Sequence, residues 1–90
     1  MDGGATVVEQ TQNVLNKIDA LLLEGGTSKK HILTANIWLK DIANDFAPMN
    51  TVWVKWVDAN NKPTRATVEA NLAAPSLLVE IQVTAAVPHE

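Results

Sequence analysis

The segment KPTRATVEA, residues 62–70, places an arginine within a short alternating stretch of the chain. The two-residue period of a β-strand puts Arg65, Thr67 and Glu69 on one face and the intervening residues on the other. A guanidinium can bind an anionic group through two parallel hydrogen bonds, and a nearby carboxylate can orient or deprotonate a water molecule. Arg65 is therefore a candidate anion-binding residue.

Glu80 follows Arg65 by fifteen positions and lies in a second alternating segment. If both strands belong to one sheet and turn their apolar residues toward the helices, Arg65 and Glu80 share the non-helix face. Two interpretations remain open. The pair could bind a carboxylate and activate water, or it could be a cross-strand ion pair on a solvated face, which contributes little stability.

Other residue types offer less chemistry. The chain has no cysteine, and its two histidines, His31 and His89, are too far apart in sequence to indicate a metal site. Ser28 and Ser76 have no neighbouring base that would make either a nucleophile. The sequence predicts neither a metal nor a cofactor.

Composition indicates a small globular protein. Residues 1–90 are sufficient for one domain, with 47% apolar and 19% charged residues. A net charge of −3 argues against nucleic-acid binding, which depends on clustered lysine and arginine. No run approaches the ~20 apolar residues of a membrane span, and the N-terminal residues lack a signal-peptide pattern. We expect a cytoplasmic protein without membrane or nucleic-acid partners.

Two segments have helical spacing. In the first, a capping box at Thr6 and Glu9 precedes an apolar stripe, and Gly25-Gly26 ends it. The second, NDFAPMNTVWVKWV, has Asn44 or Asp45 as its predicted cap. The apolar stripe of this second segment consists of Phe46, Met49, Trp53, Trp56 and Val57. The stripe of the first segment consists of Val7, Thr11, Val14, Leu15, Ile18, Leu21 and Leu22. The stripe position favours packing over ligand stacking for Trp53 and Trp56.

Three segments are predicted strands. HILTANIWLK alternates, with Leu33 on the same face as Ala35, and is expected to be covered on both sides. The other two span about Arg65–Ala70 and Leu78–Val87. The order α-β-α-β-β predicts an α+β domain with two helices on one face of a small mixed sheet, and at least one unpaired sheet edge.

The amino-acid sequences of four segments resemble one family. EQTQNVLNKIDALL, ILTANIWLKDI, DFAPMNTVWVKWV and PTRATVEANLAAPSLLVEIQVTAAV are similar to the Rid (YjgF-type) reactive-intermediate deaminases. The resemblance implies a chorismate-mutase-like fold with a β-α-β-α-β-β core, and trimers with clefts between subunits. It also implies cofactor-free hydrolysis of 2-imino or enamine acids to 2-keto acids and ammonia.

The resemblance also implies roles for individual residues. Arg65 matches the arginine that binds the substrate carboxylate, and Glu80 matches the glutamate that positions the attacking water. Thr67 stands where many members have a cysteine that contributes largely through its backbone. Asn50 matches a recurrent asparagine of the second helix, for which we expect a structural role.

The N-terminal part departs from the family pattern. Because the first helix starts within the first ten residues, the family's leading strands, including its first core strand, are expected to be missing. Leu78–Val87 would then be an unpaired edge, which predicts a homo-oligomer, either a trimer or an edge-paired assembly. The alternative to the deaminase is a non-catalytic oligomeric module that binds carboxylates or is purely structural. The acidic chain argues against a ribonuclease.

Overall fold

The computed structural model describes residues 6–88. They form α1 (Val7–Glu24), a short 3-10 helix (Lys29–His31), β1 (Ile32–Leu39), α2 (Ile42–Trp56), β2 (Thr64–Glu69) and β3 (Val79–Ala85). The predicted α-β-α-β-β order is confirmed. In this part of the chain, neither helix is long and apolar enough to cross a membrane.

Both ends of α1 follow from local sequence. The Thr6 hydroxyl accepts a hydrogen bond from the Glu9 N–H at 3.2 Å, and the Glu9 carboxylate accepts one from the Thr6 N–H at 3.1 Å. This reciprocal pair is the predicted capping box. The helix ends at Gly25, and Gly26 has a φ of 79°, in the left-handed region that glycine adopts without a Cβ clash.

The start of α2 differs from the prediction. The helix begins at Ile42 with Asp41 as its cap, so the predicted cap at Asn44 or Asp45 is wrong. The Asp41 carboxylate accepts from the Asn44 N–H at 3.4 Å, and Glu69 of β2 accepts from the Ile42 N–H at 3.0 Å. These two acceptors satisfy donors of the first turn, and the second comes from a distant residue that local sequence could not reveal.

The sheet has the order β2-β1-β3. β1 and β2 run parallel, with α2 as the crossover between them, whereas β1 and β3 run antiparallel. Within residues 6–88, β3 is therefore an edge strand, as the sequence predicted.

A bulge in β1 changes which side chains face the core. Ile32 pairs with Ala85 and Thr34 pairs with Thr84, so Leu33 is the extra residue. Ile32 is buried on the helix side and Leu33 is 55% exposed. The prediction that Leu33 lies on the same face as Ala35 is wrong, because it assumed an unbroken two-residue period.

The sheet face opposite the helices is open among the described residues. The expectation that β1 is covered on both sides is wrong for the single chain, because Trp38 and Asn36 are only half-buried and Thr34 is exposed. The neighbouring side chains on this outer face, all exposed, are those of Ala66, Val68, Glu80, Gln82 and Thr84.

The core lies between the helices and the other sheet face. α1 contacts α2 and β3, and α2 contacts β1. Trp53 and Trp56 are both buried with ring centroids 5.5 Å apart, and the Trp56 Nε1 donates to Asp19 Oδ2 at 2.9 Å. The tryptophans of α2 therefore have the predicted packing role. The other buried apolar residues are Val7, Leu15, Ile18, Leu22, Ile32, Ala35, Ile37, Leu39, Met49, Val52, Val57 and Val79.

A buried glutamine joins α1 to the start of β3. Gln10 is 2% exposed. Its Nε2 donates to the Ser76 carbonyl at 2.9 Å, and its Oε1 accepts from the Leu78 N–H at 2.8 Å. The side chain replaces two hydrogen bonds that water would otherwise make to this loop, and it fixes the loop immediately before β3.

Candidate functional site

The polar face of β2 points toward the helices. Arg65 pairs with Ala35 and Thr67 pairs with Ile37 across the parallel ladder. Because Ala35 and Ile37 are buried on the helix side, their neighbours in register lie on that side too. Arg65, Thr67 and Glu69 thus form a row under one side of α2.

Arg65 is held by three side chains of α2. Its Nη1 donates a hydrogen bond to the Asn50 Oδ1, and its Cζ lies 5.5 Å from the Phe46 ring centroid and 5.8 Å from that of Trp53. The three α2 residues stand at i, i+4 and i+7, so they share one face of the helix. The amide and the two rings fix the half-buried guanidinium while leaving most of its donors unused.

A cavity of about 350 Å³ opens beside this guanidinium. Lys62 brings a second cation to it, and Arg65 has no carboxylate partner within residues 6–88. A small space that combines two cations, an amide and apolar walls suits a small carboxylate with a short apolar chain. Its lining consists of Asn50, Trp53, Val54, Val57, Ala59, Lys62, Pro63 and Arg65.

The remaining residues of the β2 row have different environments. The Thr67 hydroxyl oxygen is buried and has no hydrogen-bond partner in the described part of the chain. Buried polar groups are usually paired, so this hydroxyl is an exception. Thr67 does not line the cavity beside Arg65, although the two residues share one face of β2. Glu69 is engaged instead, since its Oε1 accepts from the Ile42 N–H at the start of α2.

Glu80 lies on the opposite face of the sheet from Arg65. It pairs with Trp38 on the outer face, where it is exposed, and β1 separates its strand from β2. The prediction that Arg65 and Glu80 share the non-helix face is wrong. It assumed that β2 turns its small apolar residues toward the helices, but the register with β1 turns Arg65 that way instead.

Sequence reasoning missed part of the site. Phe46 and Trp53 were assigned to core packing alone, although their spacing around Asn50 was a signal that one helix face could hold a β2 side chain. Lys62 had no distinguishing pattern. Residues 6–88 contain no group of three or more potential metal-ligating side chains around His31, and His89 lies outside the described residues.

Two carboxyl groups near the ends of α2 have shifted pKa values. Burial, with a smaller contribution from the Asp41 carboxylate, raises the pKa of Asp45. Downstream of α2, the backbone N–H of Asn60 donates to Asp58 at 2.9 Å and is the largest cause of a lowered pKa for that carboxyl. Neither carboxyl lines the cavity beside Arg65.

Sequence comparisons agree on one family. The model of the family described as Endoribonuclease L-PSP matches residues 2–87. A RutC family protein of Haemophilus ducreyi is 44% identical over 89 residues, which cover 99% of this chain and 75% of the relative. The RutC family protein YoaB of Escherichia coli K12 is 49% identical over 83 residues, covering 92% of this chain and 72% of the relative.

The fold comparison leads to the same family. The crystal structure of NMB1025 from Neisseria meningitidis, a member of the YjgF protein family, superimposes with a TM-score of 0.92 at 48% identity. The match covers 94% of this chain and 71% of that one. With a family model over nearly its whole length and relatives of this similarity, the chain belongs to the Rid (YjgF, L-PSP) family and has its fold.

Proposed function

We propose that this protein hydrolyses small 2-imino or enamine acids to 2-keto acids and ammonia, without a cofactor, in clefts between subunits. The observation that carries the proposal is the Arg65 guanidinium, which Asn50 and two aromatic rings hold beside a small cavity and which has no carboxylate partner among residues 6–88. A preorganised, unpaired guanidinium favours a ligand carboxylate.

The proposed reaction adds one water and releases one ammonia. Arg65 binds the substrate carboxylate, which places the neighbouring imine carbon at a fixed distance from the guanidinium. Glu80 accepts a proton from water as the water oxygen bonds to that carbon and the imine nitrogen gains a proton. The resulting carbinolamine then breaks its C–N bond as Glu80 returns its proton to the amine nitrogen and the hydroxyl proton passes to solvent, so that ammonia and the 2-keto acid leave and Glu80 is again a carboxylate. An enamine enters the same sequence after protonation at carbon.

One subunit cannot supply both groups to one substrate. Arg65 lies under α2, whereas Glu80 is exposed on the outer face two strands away. The proposal therefore requires that Glu80 of a neighbouring subunit approach the Arg65 cavity, as in a ring of identical head-to-tail contacts. A trimer is the proposed assembly.

An activity assay tests the proposal by following the hydrolysis of 2-iminobutyrate that is generated in situ. Semicarbazide traps the imine that is not hydrolysed. We expect wild type to suppress semicarbazone formation, and Arg65→Ala and Glu80→Gln should each remove most of this effect. Loss of the catalytic base in Glu80→Gln should lower the rate of hydrolysis roughly a hundredfold or more. If wild type leaves trapping unchanged relative to buffer, the deaminase proposal is wrong.

Mixing the two inactive variants tests whether the site is shared. When Arg65→Ala and Glu80→Gln subunits are unfolded and refolded together, about a quarter of randomly formed clefts combine an intact Arg65 with an intact Glu80 from the neighbour. Activity should return to roughly that fraction. The control refolds each variant alone. Failure of mixed oligomers to regain activity would reject the two-subunit site.

A second candidate is a non-catalytic module that binds carboxylates. The placement of Arg65 and Glu80 on opposite faces favours it, because the Arg65 cavity in a single subunit offers an anion site without the water-activating carboxylate. Calorimetric titration with 2-ketobutyrate separates the candidates. Saturable binding that Arg65→Ala abolishes, without any hydrolysis by wild type, would support the binding module.

A further inference from the structure

The cavity beside Arg65 has a second cation at its rim. We propose that Lys62 binds a second carboxylate of the ligand, so that the preferred substrates are 2-imino acids with an acidic side chain, such as 2-iminoglutarate. This inference rests on the proposed function, because it takes Arg65 as the residue that binds the carboxylate next to the imine carbon. It adds a specificity-determining residue and a substrate class to that function.

The positive charge of the cavity is not neutralised by its own walls. Arg65 and Lys62 both line it, and the lining contains no aspartate or glutamate. Within residues 6–88, neither cation has an ion-pair partner. A ligand with one carboxylate compensates one of the two charges, whereas a dicarboxylate compensates both. The charge of the cavity therefore favours a dicarboxylate.

The acidic residue nearest to Lys62 in sequence has other partners. The Asp58 carboxylate accepts hydrogen bonds from the backbone N–H of Asn60 at 2.9 Å and from the Asn61 side chain at 3.4 Å. The lowered pKa of that carboxyl follows first from the Asn60 N–H, and the cation that contributes to it is Lys30. Asp58 thus leaves the charge of Lys62 available to a ligand.

The two cations differ in how firmly they are held. Asn50 and the rings of Phe46 and Trp53 fix the Arg65 guanidinium, whereas the side chain of Lys62 is exposed. The two residues are three positions apart, a length of chain that spans at most about 11 Å, and the flexible lysine stem extends toward the ligand from its end. The fixed cation orients the reacting end of the substrate, and the flexible cation binds the far end.

A second cation also assists the proposed reaction. The general base is the Glu80 carboxylate of a neighbouring subunit, and an uncompensated carboxylate on the substrate side chain would repel it. Lys62 compensates that charge, so a dicarboxylate follows the same steps as 2-iminobutyrate, with one water consumed and one ammonia released. The class of reaction that supplies such a substrate is the oxidation of an acidic amino acid to its 2-imino acid.

Binding of two keto acids of the same shape tests the inference. 2-Ketoglutarate ends in a carboxylate, whereas 5-methyl-2-oxohexanoate has an isopropyl group in its place. We expect calorimetric titration to show that wild type binds 2-ketoglutarate more tightly. The ratio of the 2-ketoglutarate constant to the other dissociation constant should rise roughly threefold to tenfold in Lys62→Gln, and further in Lys62→Glu. Lys62→Arg should keep the wild-type ratio, because it retains the charge.

Lys55→Gln is the matched control. It removes the same charge from an exposed residue of α2 that does not line the Arg65 cavity. Its ratio should equal that of wild type, because exposed distant charges are screened. Lys62 also borders a second hollow, beside Lys30 and His31. If its ammonium serves that hollow instead, Lys62→Gln will have the same ratio as wild type and Lys55→Gln, and the inference is overturned.

Failure of this inference differs from failure of the proposed function. If neither 2-ketobutyrate nor 2-ketoglutarate shows binding that Arg65→Ala abolishes, both are wrong. If 2-ketobutyrate binding depends on Arg65 but wild type prefers the isopropyl ligand, only the role of Lys62 is wrong. Hydrolysis gives a second readout, with 2-iminoglutarate and 2-iminobutyrate each generated in situ. The kcat/KM for 2-iminoglutarate relative to that for 2-iminobutyrate should fall roughly threefold to tenfold in Lys62→Gln, and an unchanged preference would reject the inference.

Discussion

The amide oxygen of Asn50 accepts a hydrogen bond from the Arg65 guanidinium and thereby connects α2 to β2. The acceptor is neutral, which matters because a neutral amide orients the guanidinium without cancelling its charge. With Phe46 and Trp53 on either side of Asn50 along the helix, α2 positions a cation that remains available to an anion.

Replacing this amide by a carboxylate should weaken anion binding more than removing it. Asn50→Asp keeps the size of the side chain but pairs the guanidinium with a fixed negative charge, whereas Asn50→Ala only releases it. We expect the dissociation constant for 2-ketobutyrate to rise roughly tenfold or more in Asn50→Asp and only a few-fold in Asn50→Ala. Isothermal titration calorimetry measures both.

Thr51→Asp is the matched control for Asn50→Asp. It adds the same charge to the same helix at an exposed position that does not line the Arg65 cavity. We expect its affinity to remain close to that of wild type, because exposed charges are screened. If Asn50→Asp binds 2-ketobutyrate as well as Asn50→Ala does, the carboxylate is not competing for Arg65 and the cavity is not the anion site.

Much of the fold could be predicted because its signals are local. The capping box at Thr6, the apolar stripes and the turn residues gave the order of the elements, and the resemblance gave the family. The start of α2 could not be predicted, because Glu69, 27 residues after Ile42, provides one of the acceptors. The Leu33 bulge was equally hidden, since alternation alone carries no signal for an extra residue.

The site was harder to predict than the fold. Alternation correctly grouped Arg65, Thr67 and Glu69, but it could not say which side of the sheet the group faces. The prediction turned small apolar residues such as Ala66 toward the helices, yet Arg65 lies on the helix side because α2 offers Asn50 and two rings to receive it. The orientation of a strand with weak apolar contrast is decided by its tertiary partners.

Gln10 is expected to be a strong determinant of stability. Gln10→Leu introduces an apolar side chain of similar size but leaves the Leu78 N–H and the Ser76 carbonyl without this partner in a largely buried setting. The free energy of unfolding should fall by about 2–4 kcal/mol. Urea unfolding followed by tryptophan fluorescence measures the change. Gln12→Leu, at an exposed position of the same helix, serves as the control and should change stability by no more than about 0.5 kcal/mol.

Asp58 and Asp45 should give stability opposite dependences on pH. The lowered pKa of Asp58 means that its contribution is present above its ordinary value of 3.8 and is lost as pH falls through the lowered pKa. The raised pKa of Asp45 means that its contribution is favourable below 3.8 and is lost as pH rises through the raised pKa.

The corresponding asparagine variants isolate these contributions. Asp58→Asn should be less stable than wild type at pH 7, and the difference should disappear toward about pH 2. Asp45→Asn should be more stable than wild type at pH 7, with a difference that also shrinks on acidification. Urea midpoints at several pH values provide the measurement. A pH-independent difference for either variant would show that its effect does not come from ionisation.

Replacing the Thr67 hydroxyl should change protein stability and ligand affinity in opposite directions. Its buried hydroxyl has no partner within the described chain, so Thr67→Val removes an unsatisfied polar group while keeping the shape of the side chain. We expect the free energy of unfolding to rise by about 1 kcal/mol. If the hydroxyl bonds to a ligand held by Arg65, the same variant should bind 2-ketobutyrate roughly threefold to tenfold more weakly, the cost of one hydrogen bond. Thr67→Ser retains the hydroxyl and should preserve affinity at the expense of stability, since it loses a methyl group. If Thr67→Val is more stable than wild type and binds 2-ketobutyrate with unchanged affinity, the hydroxyl has no part in the site. If Thr67→Val is less stable than wild type, the hydroxyl has a hydrogen-bond partner in the assembled oligomer.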